Sequence, residues 1–255
     1  MKILIATLLL TTLSLSAKSY DDPDERCLEE YSESTKQHPP TEICGDILLP
    51  TSLRKCKSPY LVTDDIFVPA TSRLRIEAGV ELIISDKRWC HETKDSLRMS
   101  HRWQKQIDWN DSQYVSIKVN GAFFVAGTPD SPVKIYSKDR SNKRATWDGI
   151  RLNNKTHTAT QIEYLHISNA DKALNINNST FNVSNSLFKN NNVGISMDNL
   201  SKVPVFNSLF IENFSAGIYH KKSGAKLYAN IFYNNYNYGI WSDSRHSLSV
   251  YNNIF

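Results

Sequence analysis

Between residues 181 and 255 the apolar positions return with a long period. The phrase Ser186-Leu187-Phe188…Gly194-Ile195 recurs as Ser208-Leu209-Phe210…Gly217-Ile218 and as Asn230-Ile231-Phe232…Gly239-Ile240, and Asn253-Ile254-Phe255 begins a fourth copy. The Leu/Ile positions lie 22, 22 and 23 residues apart, and the glycines 23 and 22 apart. A fixed period of this length marks a solenoid, in which each repeat buries its apolar side only by stacking on its neighbours. Within each copy the apolar runs are a few residues long and are separated by Asn-rich turns, which predicts short strands.

Upstream, short alternating runs precede the repeats: Tyr60-Leu61-Val62, Ile66-Phe67-Val68, Leu74-Arg75-Ile76 and Val80-Glu81-Leu82-Ile83-Ile84, with turns at Pro69 and Gly79. Strands this short at this spacing predict coils of a β-helix. Residues 85–112, which carry Trp89, Cys90, Trp103 and Trp109, interrupt the pattern and read as an inserted loop on one face. The runs resume at Val115 and continue through Trp147-Asp148-Gly149-Ile150-Arg151-Leu152 and Ala173-Leu174-Asn175-Ile176. Residues 20–36 are acidic, and Asp22, Pro23 and Glu25 have the order of a helix cap, first-turn proline and capping box. Residues 37–58, with Pro39-Pro40 and Pro50, read as a loop. The expected organisation is an acidic N-terminal cap over residues 20–58, then an all-β parallel helix of roughly seven coils over residues 59–255.

Composition adds a compartment. Lys2, the apolar run over residues 3–15 and Ala17-Lys18-Ser19 have the three parts of a secretory signal over residues 1–19. The run is too short to cross a bilayer comfortably. The mature chain is therefore expected to be secreted, periplasmic or on the cell surface, with no transmembrane segment. There, Cys27, Cys44, Cys56 and Cys90 predict two disulfides, and Cys27–Cys44 with Cys56–Cys90 is the preferred pairing of the three possible. The net charge of +4 comes without a clustered basic stripe, which argues against nucleic acid as a partner. No metal-ligand cluster is visible, so neither metal nor cofactor is expected, with calcium a requirement only if the chain is a lyase.

Residues 60–176 resemble the opening coils of the pectin-lyase-like, right-handed parallel β-helix proteins of bacteria. The resemblance lies in Leu74-Arg75-Ile76-Glu77-Ala78-Gly79-Val80, in Asn120-Gly121…Ala126-Gly127-Thr128 followed by Pro132, and in Trp147-x-Gly149-Ile150. Residues 181–255 resemble the generic repeat of the same group. The resemblance implies a right-handed solenoid whose surface meets polysaccharide. It leaves the activity open, because the group mixes lyases, hydrolases, epimerases and adhesins.

In such a stack Leu187, Leu209, Ile231 and Ile254 are expected to form one core ladder, and Ile195, Ile218 and Ile240 a second above Leu174 and Ile150. The glycines before that second ladder are expected where the backbone is left-handed or crowded, and the Asn clusters in the turns, bonding from coil to coil. If the Ile after each Gly points in, the next residue points out. One outward column is then Arg151, Asn175, Ser196, Tyr219 and Trp241, and a second is Asn153, Asn177, Asp198, Lys221 and Asp243. Aromatic rings beside carboxylates and amides are what a sugar-binding surface needs.

Catalysis is the rival reading. A lyase or hydrolase of an acidic glycan would centre on Asp198, Lys221, Asp243 and His220, with Arg245 and His246 nearby. Asp198 and Asp243 are two coils apart, which places their backbones about 10 Å from each other, a loose fit to the inverting glycosidase separation. Tyr238-Gly239-Ile240-Trp241-Ser242-Asp243 is similar to the Tyr-Gly-x-Asp-Pro-His-Asp motif of alginate epimerases but lacks its Asp-Pro-His-Asp. A structural or adhesin-type surface protein is the third reading. His166, on an apolar strand, reads as a structural histidine. The last repeat stops in mid-coil, so end-to-end self-association or continuation of the stack is expected there.

Overall fold

A computed structural model describes residues 39–90, 114–139, 145–153, 159–199, 201–243 and 247–255. The chain divides into two units, Met1–Gln37 and His38–Phe255, and all described residues belong to the second. The segment expected to be a signal, the acidic segment of residues 20–36 and Cys27 lie outside the described residues, as do Trp103, Trp109 and most of the expected insertion.

Each later repeat lays down three strands in turn. One coil is β14 (Leu187–Lys189), β15 (Val193–Asp198) and β16 (Val205–Phe206). The next is β17 (Leu209–Ile211), β18 (Ala216–His220) and β19 (Ala225–Tyr228), followed by β20 (Ile231–Tyr233), β21 (Tyr238–Ser242) and β22 (Leu248–Tyr251). Like strands of successive coils pair in parallel, which makes three faces. The first face continues down through β11 (Leu165–Ser168), β8 (Val133–Ser137) and β5 (Glu81–Ile84). The second continues through β12 (Lys172–Asn177), β9 (Gly149–Leu152) and β6 (Ser116–Val119). The third continues through β13 (Asn182–Ser184), β10 (Gln161–Glu163), β7 (Ala122–Ala126), β4 (Arg73–Glu77) and β2 (Thr51–Leu53).

The long strand β3 (Tyr60–Val68) serves two faces, pairing Tyr60 with Leu82 on the first and Ile66 with Ile117 on the second. Its bend is held by Asp65, which accepts hydrogen bonds from the Ser116 N–H at 2.7 Å and the Ser116 hydroxyl at 2.9 Å, with Lys118 Nζ at 3.2 Å. Beneath it lies β1 (Thr41–Asp46).

The third face carries eight strands, one per coil, where the pattern pointed to roughly seven coils. The additional coil is β1 and β2, inside residues 37–58, which read as loop. Pro39, Pro40 and Pro50 flank these strands rather than interrupt them. A bulge between Ile43 and Gly45, with Gly45 at φ 84°, breaks the alternation that would have revealed β1.

The preferred disulfide pairing is corrected. Cys44 is bonded to Cys90, with Cα atoms 5.9 Å apart, so neither Cys27–Cys44 nor Cys56–Cys90 forms. Cys56 is also disulfide-bonded. Cys44 sits on the first coil, and the Trp89 N–H bonds the Thr63 carbonyl at 2.9 Å, which brings Cys90 back along β3.

One core ladder is corrected as well. Leu187, Leu209, Ile231 and Ile254 are in register, but they face outward, with Leu209 and Ile231 each 37% exposed. Their neighbours Phe188, Phe210, Phe232 and Phe255 face inward as a stack with centroids 4.9, 4.9 and 5.0 Å apart. The second ladder, from Ile150 and Leu174 through Ile195, Ile218 and Ile240, is as expected. The Gly positions meet the crowding expectation. A Cβ on Gly194 would strike the Gly217 carbonyl oxygen and lie 2.9 Å from a ring carbon of Phe210.

The asparagines form the coil-to-coil ladder. The Asn191 side-chain amide donates to Asn213 Oδ1 at 3.1 Å, and that of Asn213 to Asn235 Oδ1 at 2.9 Å. Asn213 also donates to the Phe188 carbonyl at 3.0 Å, and both Asn191 and Asn213 are fully buried. Their polar groups are thus satisfied by the repeat itself, which is what allows them inside.

Candidate site on the second face

The outward columns of the second face are assembled by strand register. Arg151 pairs with Asn175, Asn175 with Ser196, Ser196 with Tyr219 and Tyr219 with Trp241. In the parallel column Asn177 pairs with Asp198. The ladder runs on from there, with the Lys221 N–H bonded to the Met197 carbonyl at 2.8 Å and the Asp243 N–H to that of His220 at 2.9 Å. Asn153 begins this column, its N–H bonded to the Val119 carbonyl.

The members differ in what they offer. Arg151 is exposed but bound to Asp148 at 2.7 Å, directly above Lys118. Burial pushes the Lys118 ammonium below its usual range, and Asp65 offsets part of that. Asn175, Asn177 and Tyr219 are half-buried, and Ser196 is buried. Asp198 uses Oδ1 to accept the Asn199 N–H at 2.7 Å. Among the described residues no ion pair joins Lys221 to Asp198 or Asp243. The alternating column therefore keeps its charges for solvent or a ligand.

Trp241 is 43% exposed, and its ring is tilted by 54° to Tyr219 and by 32° to Tyr238. The outward aromatics of the third face behave differently. Tyr228 lies between Phe206 and Tyr251 at 4.9 and 5.3 Å with interplanar angles of 6° and 4°. Stacked that way, Tyr228 has both ring faces covered and presents only its edge. The tilted Trp241 cluster leaves aromatic surface open, and aromatic surface is what an apolar sugar face needs.

His220 does not belong to this surface. It is fully buried, in the inward column between Met197 and Ser242. Its Nε2 lies 2.7 Å from the Ser223 carbonyl and its Nδ1 3.0 Å from the Ser242 hydroxyl. A carbonyl only accepts, so Nε2–H donates to it, and the serine hydroxyl can donate to Nδ1. The alternation that turns Tyr219 outward turns His220 inward. Arg245 and His246 lie outside the described residues. Among the described residues no three His, Cys, Asp or Glu side chains converge as a metal-binding group.

Sequence reasoning missed a concavity. A groove of about 500 Å³ opens on the first face around Lys134, His166 and Lys189. The signal was present in the outward positions of β8, β11 and β14, but His166 was read as structural and Leu187 as core.

The fold is that of a right-handed parallel β-helix repeat protein. Residues 134–255 match the family model described as a right-handed β-helix region. No curated protein and no solved structure matches the chain.

Proposed function

We propose that this is an exported protein that holds a polysaccharide or another cell-surface ligand along its second face. The observation that carries the reading is the Trp241 ring, tilted and open between Tyr219 and Tyr238, beside the uncommitted charges of Asp198, Lys221 and Asp243. The indole would stack on an apolar sugar face, and the charged column with Asn175 and Asn177 would bond hydroxyls. Arg151, tied to Asp148, would mark the lower limit of the surface. Export is supported by the Cys44–Cys90 disulfide, since such bonds persist in oxidising compartments. Among the described residues no helix is long and apolar enough to cross a membrane. The lyase or hydrolase reading loses support with His220 turned into the core.

The test is a panel of neutral and acidic polysaccharides incubated with the purified protein. Binding without bond cleavage is expected for at least one of them. Trp241→Ala is expected to weaken it about tenfold, equivalent to ~1.4 kcal/mol, with the thermal transition unchanged. Cleavage of any glycan would replace this reading by the enzymatic one. Binding to none would leave the structural or adhesin reading in its place.

A further inference from the structure

The groove on the first face has a chemistry distinct from the Trp241 surface. Strand register stacks Glu81, Lys134, His166 and Leu187 in one outward column. Every charge facing the groove already has a counter-charge. Lys134 Nζ is 2.8 Å from Glu81 Oε1, and the Tyr136 hydroxyl donates to Glu81 Oε2 at 3.0 Å. Lys189 is paired with Glu212 at 3.5 Å. His166 is half-buried, and burial, aided by the Lys134 charge, pushes its pKa below the usual imidazole range, so the ring is neutral at pH 7. A carboxylate ligand would have to compete with Glu81 or Glu212 for a lysine and would approach their like charges.

A hydroxyl-rich, uncharged ligand meets no such conflict. Neutral His166 offers one N–H and one lone pair, and it makes no hydrogen bond to another described residue. The Ser168 hydroxyl donates to Asn169 Oδ1 at 3.0 Å and keeps its acceptor capacity. Lys134 retains N–H donors beyond the one given to Glu81. Each hydroxyl of a vicinal diol both donates and accepts, so it can bridge an ammonium and an imidazole without displacing a protein partner. Leu187, next to His166 in the column, gives a footing for the C–H face of a ring. The volume falls within the range of about 300–1,000 Å³ typical of small-ligand sites.

We propose that this groove is a second binding site and that it takes a neutral sugar unit through its vicinal hydroxyls, in preference to an acidic one. The site lies on a different face from Trp241 and stands or falls separately from the function proposed above.

The experiment follows the His166 imidazole resonances, assigned by difference with His166→Leu, at pH 7.5. Neutral trisaccharides of galactose, mannose and glucose are titrated against the matching uronic acid trimers. At least one neutral trimer is expected to shift the His166 signals with an affinity about tenfold tighter than its uronate counterpart. Ser168→Ala is expected to weaken that response severalfold, and Trp241→Ala to leave it unchanged. If uronates bind as tightly as neutral sugars, if no neutral trimer moves the His166 signals, or if Trp241→Ala abolishes the response, the proposal is overturned. Polymer binding lost in Trp241→Ala while the His166 response persists would establish two sites. The reverse result would sink the second-face reading and keep this one.

Discussion

Left-handed residues recur at all three turns of the later coils, and they show how single side chains set the repeat. At one turn the sequence Asn185, Asn207, Ala229 and Asn252 holds φ of 52°, 50°, 54° and 55°. At a second, Asn190, Glu212 and Asn234 hold 54°, 56° and 52°, and at the third Asn178, Asn199 and Lys222 hold 49°, 49° and 47°. Asn tolerates this region because its short amide bonds nearby backbone, whereas Cβ crowding costs other residues about 1–2 kcal/mol. Ala229 is exposed and is the outlier of its column. Ala229→Asn is therefore expected to raise stability by about 1 kcal/mol, read as a higher midpoint in urea at unchanged slope. An unchanged midpoint would show that the turn is set by its neighbours alone. That the Asn clusters belong to turns and bond from coil to coil was legible in their spacing. Which Asn of a cluster turns inward was not: Asn190 takes the left-handed angle, while Asn191 enters the core and bonds Asn213. Adjacent identical residues carry no mark of their different roles.

Strand orientation was legible only where one residue in a pair was apolar. In β15, β18 and β21 the Ile after Gly alternates with polar or aromatic neighbours, and its inward side was read correctly. In β14, β17 and β20 two apolar residues stand side by side, Leu187-Phe188, Leu209-Phe210 and Ile231-Phe232, and a shift of one residue exchanges core for surface. Phenylalanine has the larger apolar area and fills the core. A usable signal did exist in the co-recurrence of Phe and Gly, because each Gly clears room for the rings of its own coil and the next. A Cβ on Gly217 would sit 2.7 Å from the Gly239 carbonyl oxygen, 2.9 Å from Phe232 Cδ1 and 3.0 Å from Phe210 Cβ. Gly217→Ala is expected to cost about 1–3 kcal/mol through overpacking, measured by chemical denaturation. Adding Phe232→Leu would relieve only the ring contact, and the carbonyl would remain, so the double variant should recover little. Full recovery would show that the ring, not the backbone approach between coils, sets the glycine requirement.

In a solenoid each coil touches only its neighbours, so stability is distributed along the axis rather than gathered in one centre. That is why the fold was readable from a period while the ends were not. The first coil lacks the repeat phrase and is secured by other means: the Cys44–Cys90 bond spans 46 residues of sequence and joins β1 to the segment that follows β5. A chain-entropy estimate for a loop of that length is about 4 kcal/mol, an upper figure because Cys56 is bridged too and already restricts the unfolded chain. Such stabilisation should be local. In a Cys44→Ala/Cys90→Ala variant, hydrogen exchange is expected to accelerate at the amides of β1 and of the Tyr60–Val68 strand it pairs with. The amides of β15, four coils above β3, should keep their protection. Their apolar contacts are with β12 and β18, and neither strand senses the disulfide. Loss of protection at β15 in parallel with β1 would mean that the stack opens as one cooperative unit. The second face, carrying Trp241 at its far end, would then depend on a covalent bond at the opposite end of the solenoid.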